Sequence, residues 1–244
     1  MPAFMFRLEK MFVQFQRGKN PDVDLITFGV VSNGAEQGHV GAFTGLLHTG
    51  DTLAFTFPPT TPPGKWGTWE VGPMRVAPDQ IVSVKYAGVN SSDPTDGGLS
   101  AEDQAKIAGT VWTGLVGISF VAAGAPEVLT AIGAAFGAAL TEIFGDLVSQ
   151  PRCNGSVFAD SIDFSGADLA RQTAASGSFS VTKSYTDDGS HPSECGHIAQ
   201  TDVTFSVRTV QESLRQFFGS RFDLTQGLRK FFPGATSVRA LFEG

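Results

Sequence analysis

The sequence has few charged residues and no cluster of basic ones. Charged residues make up 17% of the 244 residues, below the roughly 25% typical of soluble domains. The 24 acidic residues outnumber the 17 basic residues, so the formal net charge is −7. Nucleic-acid binding depends on Lys and Arg facing phosphates, so this balance indicates that nucleic acid is not a partner. No cofactor is expected, since the glycine-rich stretches lack the phosphate-binding fingerprints.

The N-terminus lacks the pattern of a secretory signal peptide. Arg7, Glu9 and Lys10 interrupt any apolar core, and no small-residue cleavage site follows. The expected location is therefore the cytoplasm, or the outside of the cell by an unconventional route.

Cysteine is scarce as well, with only Cys153 and Cys195 in the chain. A disulfide between them would close a loop of about 40 residues and stabilise the fold by roughly 3–4 kcal/mol. Two other interpretations stay open, namely free buried thiols and a metal site that adds His191 and His197 to Cys195. The His-x3-Cys-x-His spacing matches no standard zinc finger.

Alternating apolar and polar residues predict β-strands in residues 1–99 and again in 151–210. Val82, Val84 and Tyr86, for example, alternate with polar neighbours, which is the period of a half-buried strand. The same pattern recurs at Met11, Val13 and Phe15, at Leu53, Phe55 and Phe57, at Phe179, Val181 and Tyr185, and at Val203, Phe205 and Val207. Turn signals such as Ser32-Asn-Gly34 separate the runs, and this spacing favours an antiparallel sandwich or barrel.

Residues 100–150 predict a pair of apolar helices rich in Gly and Ala. Ser100 followed by Asp103 is a good helix start, and Gly124-Ala-Pro126 separates the two helices. The residues assigned to membrane contact or helix packing are Trp112, Phe120, Gly133, Phe136, Gly137 and Leu140. Small residues allow close helix approach in lipid and in water. The pair is therefore either a sheltered membrane-inserting hairpin or the core of an α+β domain.

The fold expected from these segments is α+β and mainly β, as one domain over residues 1–244. An antiparallel β-sandwich would be built from 1–99 and 151–210, with the hairpin of 100–150 inserted between them. Residues 211–244 carry Leu and Phe at helical spacing and predict a short helical tail.

Three groups of residues are candidates for binding or catalysis. Trp66 and Trp69 lie in a Pro/Gly-rich segment and could stack on a sugar or anchor at a membrane, or could cap the core. His39 and His48 flank a glycine-rich stretch, and Asp51 beside His48 could orient a general base. Neither histidine lies near a nucleophile motif. Loop aspartates could bind calcium: Asp22, Asp24, Asp93, Asp96, Asp187 and Asp188.

The function expected first is a non-enzymatic membrane-associating or pore-forming protein of the defence or toxin type. The alternative is a soluble ligand-binding or sugar-binding β-sandwich module, or an oligomeric scaffold, whose helices are permanent core. A second alternative is a hydrolase-type or metal-dependent enzyme that uses His39 and His48, or His191, Cys195 and His197. The expected partners are accordingly a lipid membrane or a small ligand, and the low charge fraction also fits a homo-oligomer.

Overall fold

The computed structural model describes residues 1–16, 23–57, 59, 68–91, 100–117, 131, 132, 134, 155–186 and 198–210. The chain divides into two compact units, Met1–Thr209 and Val210–Gly244, and of the second only Val210 is described. The helical tail expected in 211–244 therefore lies outside the described residues. The expectation of a single domain stays a prediction.

The described part of the chain is mostly β-strand, with two helices of defined bounds. In chain order the elements are β1 (Ala3–Phe15), β2 (Val23–Ser32), β3 (Ala35–Phe43), β4 (Thr52–Ala54), β5 (Glu70–Arg75), β6 (Ile81–Ser91), α1 (Ala101–Gly117), β7 (Gly155–Ser165), α2 (Gly166–Thr173), β8 (Ser178–Thr186) and β9 (Gln200–Val210). The prediction of a mainly β fold with antiparallel sheets is confirmed at this level.

The strands form two antiparallel sheets. The first sheet has the order β4-β1-β9-β8, and β5 also pairs with β1. The second sheet has the order β3-β2-β6-β7. Its β2–β3 hairpin turns at Asn33 and Gly34, whose φ angles are 48° and 77°. Positive φ at both positions is what a tight Asn-Gly hairpin requires, so the turn predicted from the sequence is confirmed.

One large hydrophobic cluster contains side chains from both sheets. Phe4, Phe6 and Leu8 of β1 share it with Phe28 of β2 and Tyr86 of β6, and all five are fully buried. The apolar residues of the alternating pattern therefore enter this shared core, and the residues between them lie on the opposite face of each sheet.

The opposite face of the second sheet carries α1. Ser100 caps the helix as predicted, because its Oγ accepts a hydrogen bond from the Asp103 backbone N at 3.1 Å. Ile107, Val111 and Trp112 lie in a second buried cluster with residues of the sheet, and Ile132 belongs to it too. α1 is thus packed on a sheet along its apolar side.

A close approach at Gly29 and a buried lysine hold α1 in place. A Cβ atom at Gly29 would lie 2.3 Å from Cη2 of Trp112, so only glycine leaves room for this indole ring. Farther along the helix, Nζ of Lys85 donates a hydrogen bond of 3.3 Å to the carbonyl oxygen of Leu115. A lysine near the last carbonyls of a helix is favourably placed.

The helix α2 was not expected from the sequence. It links β7 of the second sheet to β8 of the first, and it begins with a complete capping box. Ser165 Oγ accepts from the Asp168 backbone N at 3.1 Å, while the Asp168 carboxylate accepts from the Ser165 backbone N at 3.3 Å.

The strand predicted through Leu53, Phe55 and Phe57 is shorter than expected. β4 ends at Ala54, and Phe55 and Phe57 lie in the turn that follows. Phe55 is nevertheless buried, because its ring packs on Trp69 at a centroid distance of 4.6 Å.

Neither of the two helices with defined bounds is long and apolar enough to cross a membrane.

Candidate functional site

The face of the first sheet that points away from the shared core is polar and solvent-facing. On β1, Met11 and Val13 enter the core, so Phe12 and Gln14 project to the other side. On β9, Val203 is buried in the core and its neighbour Asp202 faces outward. We call this surface the outer face.

A groove of about 210 Å³ lies on the outer face. Its lining residues come from four strands and are Lys10 and Phe12 of β1, Thr52 of β4, Thr182 of β8, and Asp202 and Thr204 of β9. The groove thus combines one aromatic ring with three hydroxyls, one carboxyl group and one ammonium group. It is smaller than the roughly 300–1,000 Å³ of pockets that hold drug-sized ligands, so its volume suits a smaller molecule.

Hydrogen bonds between neighbouring strands fix two sides of the groove. Gln14 Nε2 donates to Asp202 Oδ1 at 2.8 Å. The hydroxyls of Thr182 and Thr204 are 3.0 Å apart and share a hydrogen bond. Side chains held in this way lose little further freedom when a ligand binds, which favours binding.

The polar network continues along β1 beyond the groove. Ser206 Oγ donates to Glu9 Oε1 at 2.5 Å, and Arg7 Nε lies 3.3 Å from Glu9 Oε2. Arg208 Nη2 donates a hydrogen bond of 3.2 Å to Oε1 of Glu70 on β5. The charged groups of this part of the outer face are therefore paired with one another.

Lys10 and Asp202 differ from these paired groups. Within the described part of the chain, no hydrogen bond or ion pair reaches Nζ of Lys10 or Oδ2 of Asp202. Both side chains line the groove and carry opposite formal charges. The groove therefore offers a donor and an acceptor that are available to a ligand, with no net formal charge.

The two tyrosines of the chain form a buried polar cluster with Asp160 inside the shared core. The Tyr86 and Tyr185 hydroxyls are 2.5 Å apart, and Tyr185 Oη donates to Asp160 Oδ2 at 2.7 Å. Burial raises the pKa of both phenols, and Asp160 adds to the increase. Because all three side chains are more than nine-tenths buried, this cluster is a polar part of the core and offers no access to substrate.

His39 is paired with Glu36 at the edge of the second sheet. Its Nδ1 lies 2.6 Å from Glu36 Oε1, and its ring stacks on Trp112 at 5.1 Å between centroids. Burial alone would raise the pKa of Glu36, but the hydrogen bond to His39 and the charge of His39 lower it overall. The arrangement joins β3 to α1.

His48 forms the expected couple with Asp51, but in an exposed turn. Nδ1 of His48 is 3.2 Å from Asp51 Oδ2, and the two side chains are 60% and 46% exposed. In the described residues no hydrogen bond links His48 to His39, and each histidine instead contacts a carboxylate three positions away in the chain.

Asp24 and Asn90 line a second, much smaller cavity of about 10 Å³. Asn90 Nδ2 donates to Asp24 Oδ1 at 3.4 Å, and Asn90 Oδ1 is buried with no hydrogen-bond partner among the described residues. This volume is near the minimum for one water molecule and too small for an organic ligand. Among the described residues no group of three or more His, Cys, Asp or Glu could hold a metal ion.

Trp69 and Trp112 are the two tryptophans of the predicted sites that the structure describes, and both are buried. Trp69 is fully buried between Phe55 and Phe57, so it caps the core and has no surface for a sugar or a membrane. Trp112 is 1% exposed and serves helix packing, which was one of its two interpretations.

The other predicted site residues lie outside the described residues. They are Trp66 of the ligand segment, Phe120, Gly133, Phe136, Gly137 and Leu140 of the helical pair, the cysteines Cys153 and Cys195, the histidines His191 and His197, and the calcium candidates Asp22, Asp93, Asp96, Asp187 and Asp188. The disulfide, the thiol and the metal interpretations therefore stay predictions. The sixth calcium candidate, Asp24, lies in β2 and not in a loop as expected.

Sequence reasoning missed the groove residues. Phe12 and Thr204 alternate with Met11, Val13, Val203 and Phe205 of the predicted strands, but nothing in the sequence joined the two into one surface. The available signal was an aromatic residue, Phe12, between Lys10 and Gln14 at period-two spacing.

Comparison with known proteins finds no matching family model, no matching curated protein and no matching solved structure.

Proposed function

We propose that this chain is a non-enzymatic binding module, a β-sandwich with an inserted helical hairpin and a helical tail. It takes a small polar ligand in the groove of the outer face. The observation that carries the proposal is the pair Lys10 and Asp202, whose Nζ and Oδ2 make no polar contact with any described residue. In the same groove, hydrogen bonds hold Oδ1 of Asp202 and the hydroxyls of Thr182 and Thr204 in place.

The distribution of hydrogen bonds on the outer face supports this function. Along β1, Glu9 accepts a hydrogen bond from Ser206 and forms an ion pair with Arg7, so the charged groups of that part of the sheet are paired without a ligand. Within the groove, Gln14 occupies only one oxygen of Asp202 and thereby orients the other. Rigid strands carry every groove residue, which gives a more precise site than loops do.

An enzyme that uses His39 and His48 has less support. His39 is occupied by Glu36 and by the Trp112 ring, and His48 lies in an exposed turn. A general base needs a reacting group within hydrogen-bond reach. Neither histidine lines the groove of the outer face or the small cavity at Asp24 and Asn90.

NMR mapping with a library of small polar fragments tests the binding function. We expect fragments to shift the backbone amide signals of Phe12, Thr52, Thr182 and Asp202 together. The matched control is the pair His39 and His48, whose signals should not move with them. Fragment-induced shifts that cluster away from the groove, or no shifts at all, would contradict the proposal.

Membrane association is the second candidate function. The observation in its favour is the run from Ile107 to Pro126, which contains no charged residue. Its first half lies in α1, whose apolar side is occupied by the second sheet, so association requires that this packing opens. A liposome leakage assay at acidic and neutral pH tests it, and absence of both dye release and lipid binding would remove this candidate.

A further inference from the structure

We infer that the groove of the outer face binds a neutral saccharide ring, an inference that rests on the proposed binding function. The chemistry of its lining selects among small polar ligands. Three properties of the lining favour a saccharide, namely its charges, its hydrogen-bonding capacity and its aromatic ring.

The charges of the groove favour a neutral ligand. Among the described residues that line the groove, only Lys10 and Asp202 carry a formal charge, and their signs are opposite. A simple anion would gain from Lys10 and lose from Asp202, and a simple cation would do the reverse. A neutral molecule meets no such opposition.

The hydrogen-bonding groups of the groove match a ligand that both donates and accepts at many points. Lys10 can only donate, an ionised Asp202 can only accept, and a threonine hydroxyl does both. Thr52 supplies one such hydroxyl, and Thr182 and Thr204, which share one hydrogen bond, keep one hydroxyl hydrogen and several lone pairs between them. A polyhydroxylated ring can satisfy each of these groups, because every ligand hydroxyl can also act in both ways.

Phe12 provides an apolar platform beside the polar groups. Its side chain is half-buried and lines the groove, while Asp202 and Thr204 lie on β9. The face of an aromatic ring is negative, so it attracts the weakly positive C–H groups on the apolar face of a sugar ring. The groove thus offers an apolar contact and a hydrogen-bonding contact to one ring.

Titration of the isotope-labelled full chain with methyl glycosides of glucose, galactose, mannose and N-acetylglucosamine tests the inference by NMR. We expect at least one glycoside to shift the amide signals of Phe12, Thr182 and Asp202 in a saturable way. A dissociation constant of about millimolar is expected, since the site is a shallow groove. Free alanine serves as a zwitterionic comparison probe, because its carboxylate and ammonium groups match the opposite charges of Lys10 and Asp202.

Two variants distinguish groove binding from weak contact elsewhere. Asp202→Asn keeps the shape and can still accept from Gln14, but the charge-assisted hydrogen bond is lost, so binding should weaken about tenfold. Phe12→Leu keeps an apolar side chain without the ring and should weaken binding by about threefold or more. Ser180→Ala, an exposed serine of β8 outside the groove, should bind as the wild type does.

Each outcome decides the inference. Saturable glycoside shifts that weaken in Asp202→Asn and persist in Ser180→Ala support it. Groove shifts with alanine and none with any glycoside overturn the saccharide class while leaving the groove a ligand site. If fragments bind at the groove but neither the glycosides nor alanine shift its signals, the inference is overturned and the proposed function stands. If fragments do not bind at the groove either, the proposed function is overturned as well.

Discussion

At Gly29 a single missing side chain decides where α1 can lie. A Cβ atom there would be 2.3 Å from the Trp112 ring and 2.7 Å from the carbonyl oxygen of Gly38. The second neighbour is backbone and cannot swing away as a flexible side chain could. The sequence contains many glycines, and nothing local distinguishes this one, because its role depends on a residue 83 positions farther along the chain.

We predict that Gly29→Ala destabilises the fold by about 1–3 kcal/mol, the usual cost of overpacking a filled core. Urea unfolding followed by circular dichroism measures the change. Gly109→Ala is the matched control, since a Cβ at this helix position meets no described atom within 4 Å and alanine favours the helix. If Gly29→Ala is as stable as the wild type, α1 does not rest on the sheet through Trp112.

The chain's only tyrosines, Tyr86 and Tyr185, both lie in the buried cluster with Asp160. Every tyrosine signal of the protein therefore reports on the shared core. Burial raises the pKa of both phenols above the usual value of 10.0. The unfolded chain would therefore lose these protons first as the pH rises.

We predict that neither tyrosine ionises in the folded protein as the pH rises past 10.0. The raised folded pKa contributes stability below the unfolded pKa, and stability falls above it by about 1.4 kcal/mol per pH unit for each tyrosine. Ultraviolet absorbance of tyrosinate should appear only together with unfolding. In urea both tyrosines should ionise near the usual value of 10.0. Gradual ionisation of a tyrosine in the native state would contradict the buried cluster.

The contact between β3 and α1 contains a titratable pair. His39 stacks on Trp112 and lies 2.6 Å from Glu36, and the net effect of these neighbours lowers the pKa of Glu36. A lowered folded pKa contributes stability above the unfolded pKa, and this stability is lost as the pH falls through the folded pKa. Acid therefore weakens this contact.

We predict that Glu36→Gln lowers the free energy of unfolding at neutral pH by at most about 1 kcal/mol, since the carboxylate is partly exposed and screened. The difference should disappear as the pH falls below the ordinary value of 4.5. A double-mutant cycle with His39→Ala, measured by urea unfolding, isolates the pair. A Glu36→Gln effect of equal size without His39 would mean that the pair is not the cause.

The elements that the sequence predicted correctly are those with a local signal. The Asn33-Gly34 turn and the Ser100 cap each follow from two or three adjacent residues. α2 was missed because it has only eight residues and one large apolar side chain, Leu169. The local signal that was present is its capping box, formed by Ser165 and Asp168. β4 was predicted too long because Phe55 and Phe57 continue the period-two spacing of Leu53. In the structure both residues lie in a turn, where their rings pack on Trp69.

At the scale of the whole molecule, the groove could not be predicted because its residues come together only through the sheet order. Lys10 and Thr52 lie on β1 and β4 near the start of the chain, whereas Thr182 and Asp202 lie on the consecutive strands β8 and β9 much farther along it. Period-two alternation places each of them on one face or the other, but it does not tell which strands are neighbours. The same limit applied to α1, whose apolar side suited lipid and a sheet equally well.

The packing of α1 decides between the two candidate functions. Its buried side chains belong to one cluster with Leu25, Ala87 and Val89 of the second sheet. If this cluster is permanent core, the exposed first sheet is the surface on which the protein meets its ligand. If the cluster opens, α1 becomes available to a membrane.

Hydrogen exchange of the α1 amides, measured with and without lipid vesicles, tests this point most directly. We expect the amides of Val111, Trp112 and Leu115 to exchange as slowly as those of β2 and β6, because all of them should open only with global unfolding. Vesicles should leave these rates unchanged. Faster exchange of α1 as a separate unit, accelerated further by vesicles, would contradict the binding module and favour membrane insertion.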